Sequence, residues 1–546
     1  MVIRTTQARG LEIRMGDRSR LKVLVAEKIS PEGVDKLREQ FDVDAFDSMP
    51  RDEFLSSLGS YDGLIVRSGT KVDAEAIENA DNLKIIGRAG IGVDNIDVEA
   101  ASKKGIMVAN VPESNVISAA EHTLAMLMAT ARNIPAACAS LSQGEWKRSA
   151  YQGVELYGKT LGIIGVGRIG ALVAERASSF GMKLVGYDPY ISTQKAKTLG
   201  IDMKPTADEV LAESDFITLH VPRNKDTYHM IGAKQFDIIK KGARVINVSR
   251  GGVIDEQALA QAIRDGKVAG AAIDVFEHEP PEEGNPLCSM PEVVVTPHLG
   301  ASTSEAQYKA GVAIADQVIA ALTGGFVSGA VNIAMPHREV VETLRPYMPL
   351  CEKLGRLFVN LTRGAISEIE FEILGDISEY DTSLLTVAFL KGFFESISMD
   401  SVTYVNAPII AMERGITVKE SKSRRSRDFV NLIQVTASED DSTVTAGATL
   451  IGVNQETFVN VLDFDIDIAP SKYMAFVTYE DRPGMIGKVG TVLGDSRINI
   501  SGLQVGRRAI AGIAGMGLNL DAPLPEEVIS TLESQDGIVS AQFLVL

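Results

Sequence analysis

From Lys22 onward, short apolar runs alternate with amphipathic stretches: LKVLVAE, PEGVDKLREQ, DVDAF, PRDEFLSSLG and GLIVRS, then LKIIGRAG and GIMVANVP. The rhythm predicts strand, helix, strand, helix, strand, and repeated crossovers of this kind build a parallel sheet flanked by helices. A long apolar segment follows, opening near Ser114 and running through AAEHTLAMLMATARN to Pro135. It predicts one helix, too apolar on all sides for a surface and suited to burial between two domains. After Gly158 the alternation restarts with TLGIIG, ALVAERASSFG, KLVGYD, DFITLHVP, RVINVSRGG, GAAIDVF and VVVTPH, which predicts a second and complete nucleotide-binding sheet.

Near Gly324 the pattern changes. Residues 339–470 carry strands of mixed alternation (EIEFEIL, LIQVTAS, STVTAGATLIG, ETFVNVLDF) with few crossover helices, as in an α+β domain. From Lys472 to Leu546 the order strand, helix, strand, strand, helix, strand is ferredoxin-like, βαββαβ. A chain of 546 residues is long enough for three or four domains, and the pattern fills that number.

Composition narrows the function. With 54 Lys+Arg against 72 Asp+Glu the net charge is −18, which disfavours nucleic acid and anionic membrane as partners. An anionic small molecule would have to meet local arginines. Cys138, Cys288 and Cys351 are odd in number, far apart and without metal-ligand spacing, which suits a reducing compartment, the cytoplasm, and predicts no metal. No run of 18 apolar residues exists to span a bilayer. Residues 1–20 carry five Arg and no apolar core of a secretory signal, so they read as a disordered lead, or as the remnant of a signal for an organelle stroma.

One motif carries a cofactor. Gly165-Val-Gly167-Arg-Ile-Gly170 follows the strand TLGIIG and opens a helix, and Asp188 ends the next strand, KLVGYD. The glycines allow a tight turn, close approach of backbone to a pyrophosphate, and tight helix-strand packing, while the helix N-terminus faces the phosphate charge. Asp188 would accept hydrogen bonds from ribose hydroxyls and repel a 2′-phosphate, so NAD is expected rather than NADP.

Three further spots fall at the C-terminal ends of strands in the same sheet, where such folds place ligands: Arg250 in NVSRGG, Asp274 to Glu279 in DVFEHEP, and His298 in TPHLGAST. Hydride transfer from a 2-hydroxy acid needs a cation for the carboxylate and carbonyl oxygen, and a group of near-neutral pKa for the hydroxyl proton. Arg250 and His298 are candidates, with Glu279 as the carboxylate that would orient the imidazole and Asp274 placed for the nicotinamide carboxamide. By residue type alone His122, His220 and His278 compete with His298.

GIIGVGRIG, NVSRGGVIDEQAL, AAIDVFEHEPP and VVVTPHLGAST together resemble the D-isomer-specific 2-hydroxyacid dehydrogenases. RSGTKV, RAGIGVDNID, NVPESNVISAAEHTLAMLMATARNIP and GEWKRSAY narrow the resemblance to the branch that oxidises D-3-phosphoglycerate. NAPIIAMERGI resembles the intervening domain of its long forms, and YEDRPGMIGKVGTVLGDSRINI resembles an ACT domain.

The resemblance implies a substrate-binding domain over residues 21–115 plus 305–335, an NAD-binding Rossmann domain over 116–304, an intervening regulatory domain over 336–470 and an ACT domain over 471–546. It implies that His298 is the acid/base, Glu279 its partner and Arg250 the substrate-orienting cation. NAD would meet Ile91, Gly165, Gly167, Arg168, Ile169, Gly170, Asp188, Val221, Ser249, Asp274, His298 and Gly300. The substrate carboxylate would lie on the amides of Ala89-Gly90-Ile91-Gly92, with Arg67, Ser68 and Asn110 around the remainder. Lys147 and Arg148 would reach a neighbouring subunit's site in a homodimer or homotetramer. Tyr479, Asp481 and Asn499 would bind L-serine as an effector. The basic run Lys419, Lys422, Arg424, Arg425 and Arg427 reads as a solvated face or, by the resemblance, an anion site. A hydroxypyruvate or glyoxylate reductase of the same family is the alternative activity, and a corepressor that senses NAD(H) on the same scaffold is a third reading.

Overall fold

The computed structural model describes all residues except 1–19, 334–337, 363–365, 399–401, 427, 440–441, 453 and 508–511. The expected lead, save Arg20, and Arg427 therefore lie outside the described residues.

The first sheet is wholly parallel. Its strands are β1 (Lys22–Val25), β2 (Asp42–Ala45), β3 (Gly63–Val66), β4 (Ile85–Arg88) and β5 (Met107–Asn110), in the order β2-β1-β3-β4-β5. Val23, Leu24, Val25, Leu64, Ile65 and Val66 are all buried, as expected of strands covered on both faces. The cover on one side is the returning helix Ser304–Leu322, whose Ala310, Ile314 and Val318 pack on Val23, Ile65 and Ile85.

The second sheet is also parallel: β6 (Thr160–Ile164), β7 (Lys183–Tyr187), β8 (Asp202–Met203), β9 (Phe216–Leu219), β10 (Ala243–Asn247), β11 (Val268–Ile273) and β12 (Val293–Val295), in the order β12-β11-β10-β9-β6-β7-β8. The order reverses between β6 and β9, and the crevice beyond their carboxyl ends is where such a sheet accepts a ligand.

The long apolar segment differs from the single interdomain helix expected. It forms Val116–Ala131, then breaks at Asn133, which is left-handed (φ 53°), and restarts as Ile134–Ser142, bent by 64°. Pro135 lies in the first turn of the second helix, where its missing N–H is no loss. Leu124 and Leu127 pack on Ile163 and Val173, so the first helix belongs to the core of the second sheet, while Ile117 and Met128 remain exposed. Among the described residues no single helix is long and apolar enough to cross a membrane. The two chain crossings between the lobes lie side by side, tied by Ser118 Oγ and Thr303 Oγ1 at 2.8 Å; Thr303 also caps the returning helix, accepting from Ala306 N.

The third sheet comprises β13 (Glu368–Gly375), β14 (Thr417–Ser423), β15 (Asn431–Ser438), β16 (Thr443–Ile451), β17 (Gln455–Val461) and β18 (Phe464–Ile468), in the order β14-β13-β15-β16-β17-β18. Only the β13/β14 pair is parallel. ETFVNVLDF, read as one strand, is a hairpin: Leu462 and Asp463 both have positive φ (55° and 62°) and turn the chain between β17 and β18. Paired positive φ values are those of a tight primed turn, formed here without the glycine or asparagine that usually signals one.

The last sheet, β19 (Tyr473–Glu480), β20 (Ile500–Arg507), β21 (Ile513–Leu520) and β22 (Ile538–Val545), is antiparallel in the order β20-β21-β19-β22, the ferredoxin-like arrangement. Its Met474, Phe476 and Leu544 are buried in the same apolar cluster as Phe458, Phe464, Ile466 and the helix Met348–Leu361. The third and fourth sheets thus share one core. Thr403 Oγ1 donates to Gly105 O (3.0 Å), joining this C-terminal body to the turn that precedes β5.

Candidate active site

A cavity of about 440 Å³ opens between the two parallel sheets. Its walls include Arg67, Ser68 and the Arg88 to Gly92 turn from one lobe, and Ile169, Val221, Ser249, Arg250, Asp274 and His298 to Gly300 from the other.

At the end of β12, His298 Nδ1 lies 2.7 Å from Glu279 Oε2, and Glu279 Oε1 accepts from Phe276 N (3.1 Å). Burial raises the Glu279 carboxyl, but hydrogen bonding to His298 and to Phe276 N, with the imidazole's charge, outweighs it and holds the group below the ordinary carboxylate value. Glu279 is therefore ionised near neutral pH, and the free imidazole nitrogen, Nε2, is the one left for a reacting proton.

His298 itself has a positive φ (55°), rare for a non-glycine residue. Asp274, at the end of β11 and 1% exposed, holds this turn in place. Its Oδ1 accepts from Leu299 N (2.7 Å) and Thr296 Oγ1 (2.6 Å) and contacts His122 Nε2 (3.2 Å); Oδ2 accepts from Gly300 N (2.9 Å). Burial raises the Asp274 carboxyl, yet these partners win and its net shift is downward. Oδ2, with one partner, can accept once more, as a nicotinamide carboxamide would require. His122 is thus a support of the Asp274 turn. His220 lies in the cleft wall, where burial pushes its imidazole down to about 4, and its Nε2 meets Thr218 Oγ1 at 3.0 Å. His278 does not line the cleft.

The fit to a dinucleotide can be tested on the chain itself. Gly165 has φ 91°, and a side chain there would strike the His220 carbonyl, whereas Gly167 faces open space. Gly167 precedes the helix Arg168–Ser178, whose N-terminus has no side-chain cap, so its amides are free for a pyrophosphate. Asp188 ends β7; its Oδ2 accepts from Val166 N and Oδ1 from Tyr190 N, both at 2.8 Å, which fixes the carboxylate with capacity left for ribose hydroxyls. Arg168 reaches across the hinge to Pro112 O (3.2 Å) and Glu113 (3.5 Å). The residues fit NAD.

On the opposite wall Glu27 organises the Arg67 to Thr70 loop, accepting from the amides of Arg67, Gly69 and Thr70. Arg88, at the end of β4, is half-buried; desolvation and the neighbouring Arg250 lower its guanidinium to about 10, and its buried Nε has no hydrogen-bond partner among the described residues. Neither Arg88 nor Glu27 was expected from the sequence, although Arg88 stands at a strand end directly before a glycine-rich turn. Side chains at Gly90 or Gly92 would collide with the guanidinium groups of Arg88 and Arg250 respectively, so these glycines admit two cations against one turn.

Two expected substrate residues are placed elsewhere. Asn110 does not line the cavity; its Nδ2 donates to Ile91 O (2.5 Å) and so supports the turn. Arg148 stands in a short 3₁₀ turn, Arg148–Tyr151, outside the cleft of its own chain, and Lys147 pairs with Glu145 (2.8 Å).

In the last domain Tyr479 is buried, Asp481 is paired with Arg507 (2.9 Å) and Asn499 Nδ2 donates to Asp521 (2.6 Å). Of the basic run, Lys419, Lys422 and Arg424 are paired with Glu368, Glu420 and Glu379. These three pairs offset part of the run's charge on the protein surface.

The sequence matches three family models: "D-isomer specific 2-hydroxyacid dehydrogenase, NAD binding domain" over residues 124–300, "D-3-phosphoglycerate dehydrogenase intervening domain" over 343–462 and "ACT domain" over 473–537. The D-3-phosphoglycerate dehydrogenase of Methanocaldococcus jannaschii is 43% identical over 94% of this chain and 97% of its own length. That of Archaeoglobus fulgidus is 41% identical over 96% of this chain and 100% of its own. The crystal structure of the TT0316 protein from Thermus thermophilus is 32% identical and superimposes with a TM-score of 0.53, covering 57% of this chain and all of that one. Near-complete alignment with these relatives, together with an intervening domain of their own type, makes the chain a member of the D-3-phosphoglycerate dehydrogenase family, in its long form with a C-terminal ACT domain.

Proposed function

We infer that the chain oxidises D-3-phosphoglycerate to 3-phosphohydroxypyruvate with NAD, the first step of L-serine biosynthesis. The observation that carries this reading is the His298–Glu279 pair sharing one cleft wall with Arg250, while the other wall adds Arg67 and Arg88. Bound NAD supplies the hydride acceptor. His298 takes the C2 hydroxyl proton on Nε2, since Nδ1 is committed to Glu279, and ionised Glu279 stabilises the resulting imidazolium. Arg250 and the amides of the Ala89 to Gly92 turn hold the carboxylate and the developing carbonyl oxygen. Arg67, Ser68 and Arg88 receive the phosphate, which a glyoxylate or hydroxypyruvate reductase would have no use for. Approach of the two lobes excludes water from the reacting carbon.

The cofactor contacts are those of Ile91, Gly165, Gly167, Arg168, Ile169, Gly170, Asp188, Val221, Ser249, Asp274, His298 and Gly300, with Val221 offering only backbone or apolar contact. Homodimers form through the NAD-binding lobe, and a second association through the ACT sheet gives a homotetramer. Trp146 (81% exposed), Ile134 and Leu141 support the first of these surfaces, on which Arg148 also lies. Tyr479, Asp481 and Asn499 receive L-serine, and the site of action is the cytoplasm.

Steady-state NADH formation with D-3-phosphoglycerate, glycerate and lactate, each with and without L-serine, tests the reading. A kcat/KM at least about 100-fold higher for the phosphorylated acid is expected from one lost charge-assisted cluster. Equal values would overturn the substrate assignment.

A further inference from the structure

Asp94 is an acidic residue in a cleft built to bind an anion, and the catalytic steps above do not use it. It belongs to the substrate-binding lobe, two residues beyond Gly92, yet its Oδ2 lies 3.3 Å from Nε of Arg250, which comes from the other lobe. A side chain at Gly92 would collide with both Arg250 Nη2 and Asp94 Oδ2, so the three groups occupy one point of the cleft wall. Arg250 Nη1 donates to Ser249 O (2.8 Å). With Nε facing Asp94 and Nη1 anchored to backbone, Nη2 is the edge of the guanidinium left against the Gly90 to Gly92 turn.

The electrostatics favour such a partner. Arg88 lies behind the same turn; Arg250 disfavours its charge, whereas Asp94 favours it and also pairs with Arg250. A carboxylate at this point offsets the repulsion between the two guanidinium groups. The pair contributes little to folding, because Asp94 and Arg250 keep 51% and 29% of their side-chain surface exposed. Its effect is on geometry.

We propose that Asp94 is a positioning residue for Arg250: it holds the Nε edge of the guanidinium across the interlobe cleft, so that Nη2 is aimed at the carboxylate and carbonyl oxygen of the 2-hydroxy acid. The pair also registers lobe approach, since it exists only when the turn after β4 and the turn after β10 meet. The inference rests on the role given to Arg250 in the proposed function.

The test is Asp94→Asn, which keeps shape and removes charge. With saturating NAD, kcat for D-3-phosphoglycerate falls about 10-fold to 100-fold, as for a misaimed catalytic group. KM stays level or decreases, because a negative charge has left an anion site. NADH affinity and thermal midpoint do not move. In an Arg250→Lys background, where no Nε remains to be held, the same substitution changes kcat less than about twofold. A crystal structure of Asp94→Asn finds the Arg250 guanidinium withdrawn from Gly92. Retention of kcat, a full loss repeated in the Arg250→Lys background, or an unmoved Arg250 would each overturn the inference. Failure of the wild-type chain to oxidise D-3-phosphoglycerate would instead overturn the substrate reading, and the position of Arg250 in the variant crystal would still decide the role of Asp94.

Discussion

Glu279 and His298 stand nineteen residues apart in the chain and 2.7 Å apart in the fold, because β11 and β12 are parallel neighbours whose carboxyl ends deliver both to one rim of the cleft. Each lobe-facing loop contributes what the other lacks: a carboxylate fixed by Phe276 N, and an imidazole with one free nitrogen.

Replacing His298 by Ala removes the proposed proton acceptor and leaves the Gly165 to Gly170 turn in place. The expected outcome is a kcat lowered by about 10²–10⁴-fold with a far smaller loss of NADH affinity, since the other cofactor contacts remain, read by fluorescence titration alongside turnover. Normal turnover would remove His298 from the chemistry.

Asp274→Asn tests the support beneath that imidazole. The amide cannot accept all the bonds now made by Thr296, Leu299 and Gly300, so stability falls by about 1–3 kcal/mol at neutral pH. Because the folded Asp274 value lies below its ordinary 3.8, its contribution is complete above that value and drains away as the pH drops through and beneath it. Thermal midpoints of wild type and variant therefore converge on acidification below about pH 4; a gap constant from pH 7 to pH 3 would contradict the assignment.

Asp188 should set the choice of cofactor. Asp188→Ser removes the anion that repels a 2′-phosphate, and the ratio of kcat/KM for NAD over NADP drops by at least about 10-fold. Some loss with NAD itself is expected, since the carboxylate also fixes Val166 N and Tyr190 N. An unchanged ratio would place cofactor discrimination elsewhere.

Gly92→Ala introduces one carbon where Arg250 Nη2 and Asp94 Oδ2 already meet. A kcat/KM for the hydroxy acid reduced by about 10²-fold, with NADH binding intact, is the expected result in the same assays.

Much of this architecture is legible in the sequence because parallel strands buried on both faces leave unmistakable apolar runs, and because Gly165 to Gly170 and Asp188 lie at fixed distances from them. Local features were harder to read. The turn at Leu462 and Asp463 carries no glycine, and Asn133 breaks a helix inside an otherwise continuous apolar segment. Arg88, Asp94 and Glu27 are not legible in the sequence because their importance lies in what they face across the cleft, which strand periodicity does not encode. Asn110, by contrast, is close to the cleft but spends its amide on Ile91 O.

The core shared by the third and fourth sheets makes the last two hundred residues a single mechanical part. Ending the chain before β19 would strip the cover from Phe464 and Ile466 and leave an exposed, aggregation-prone apolar face. A force applied at the fourth sheet would bear on side chains that also hold the intervening domain together, and this C-terminal body meets the catalytic half where Thr403 Oγ1 donates to Gly105 O.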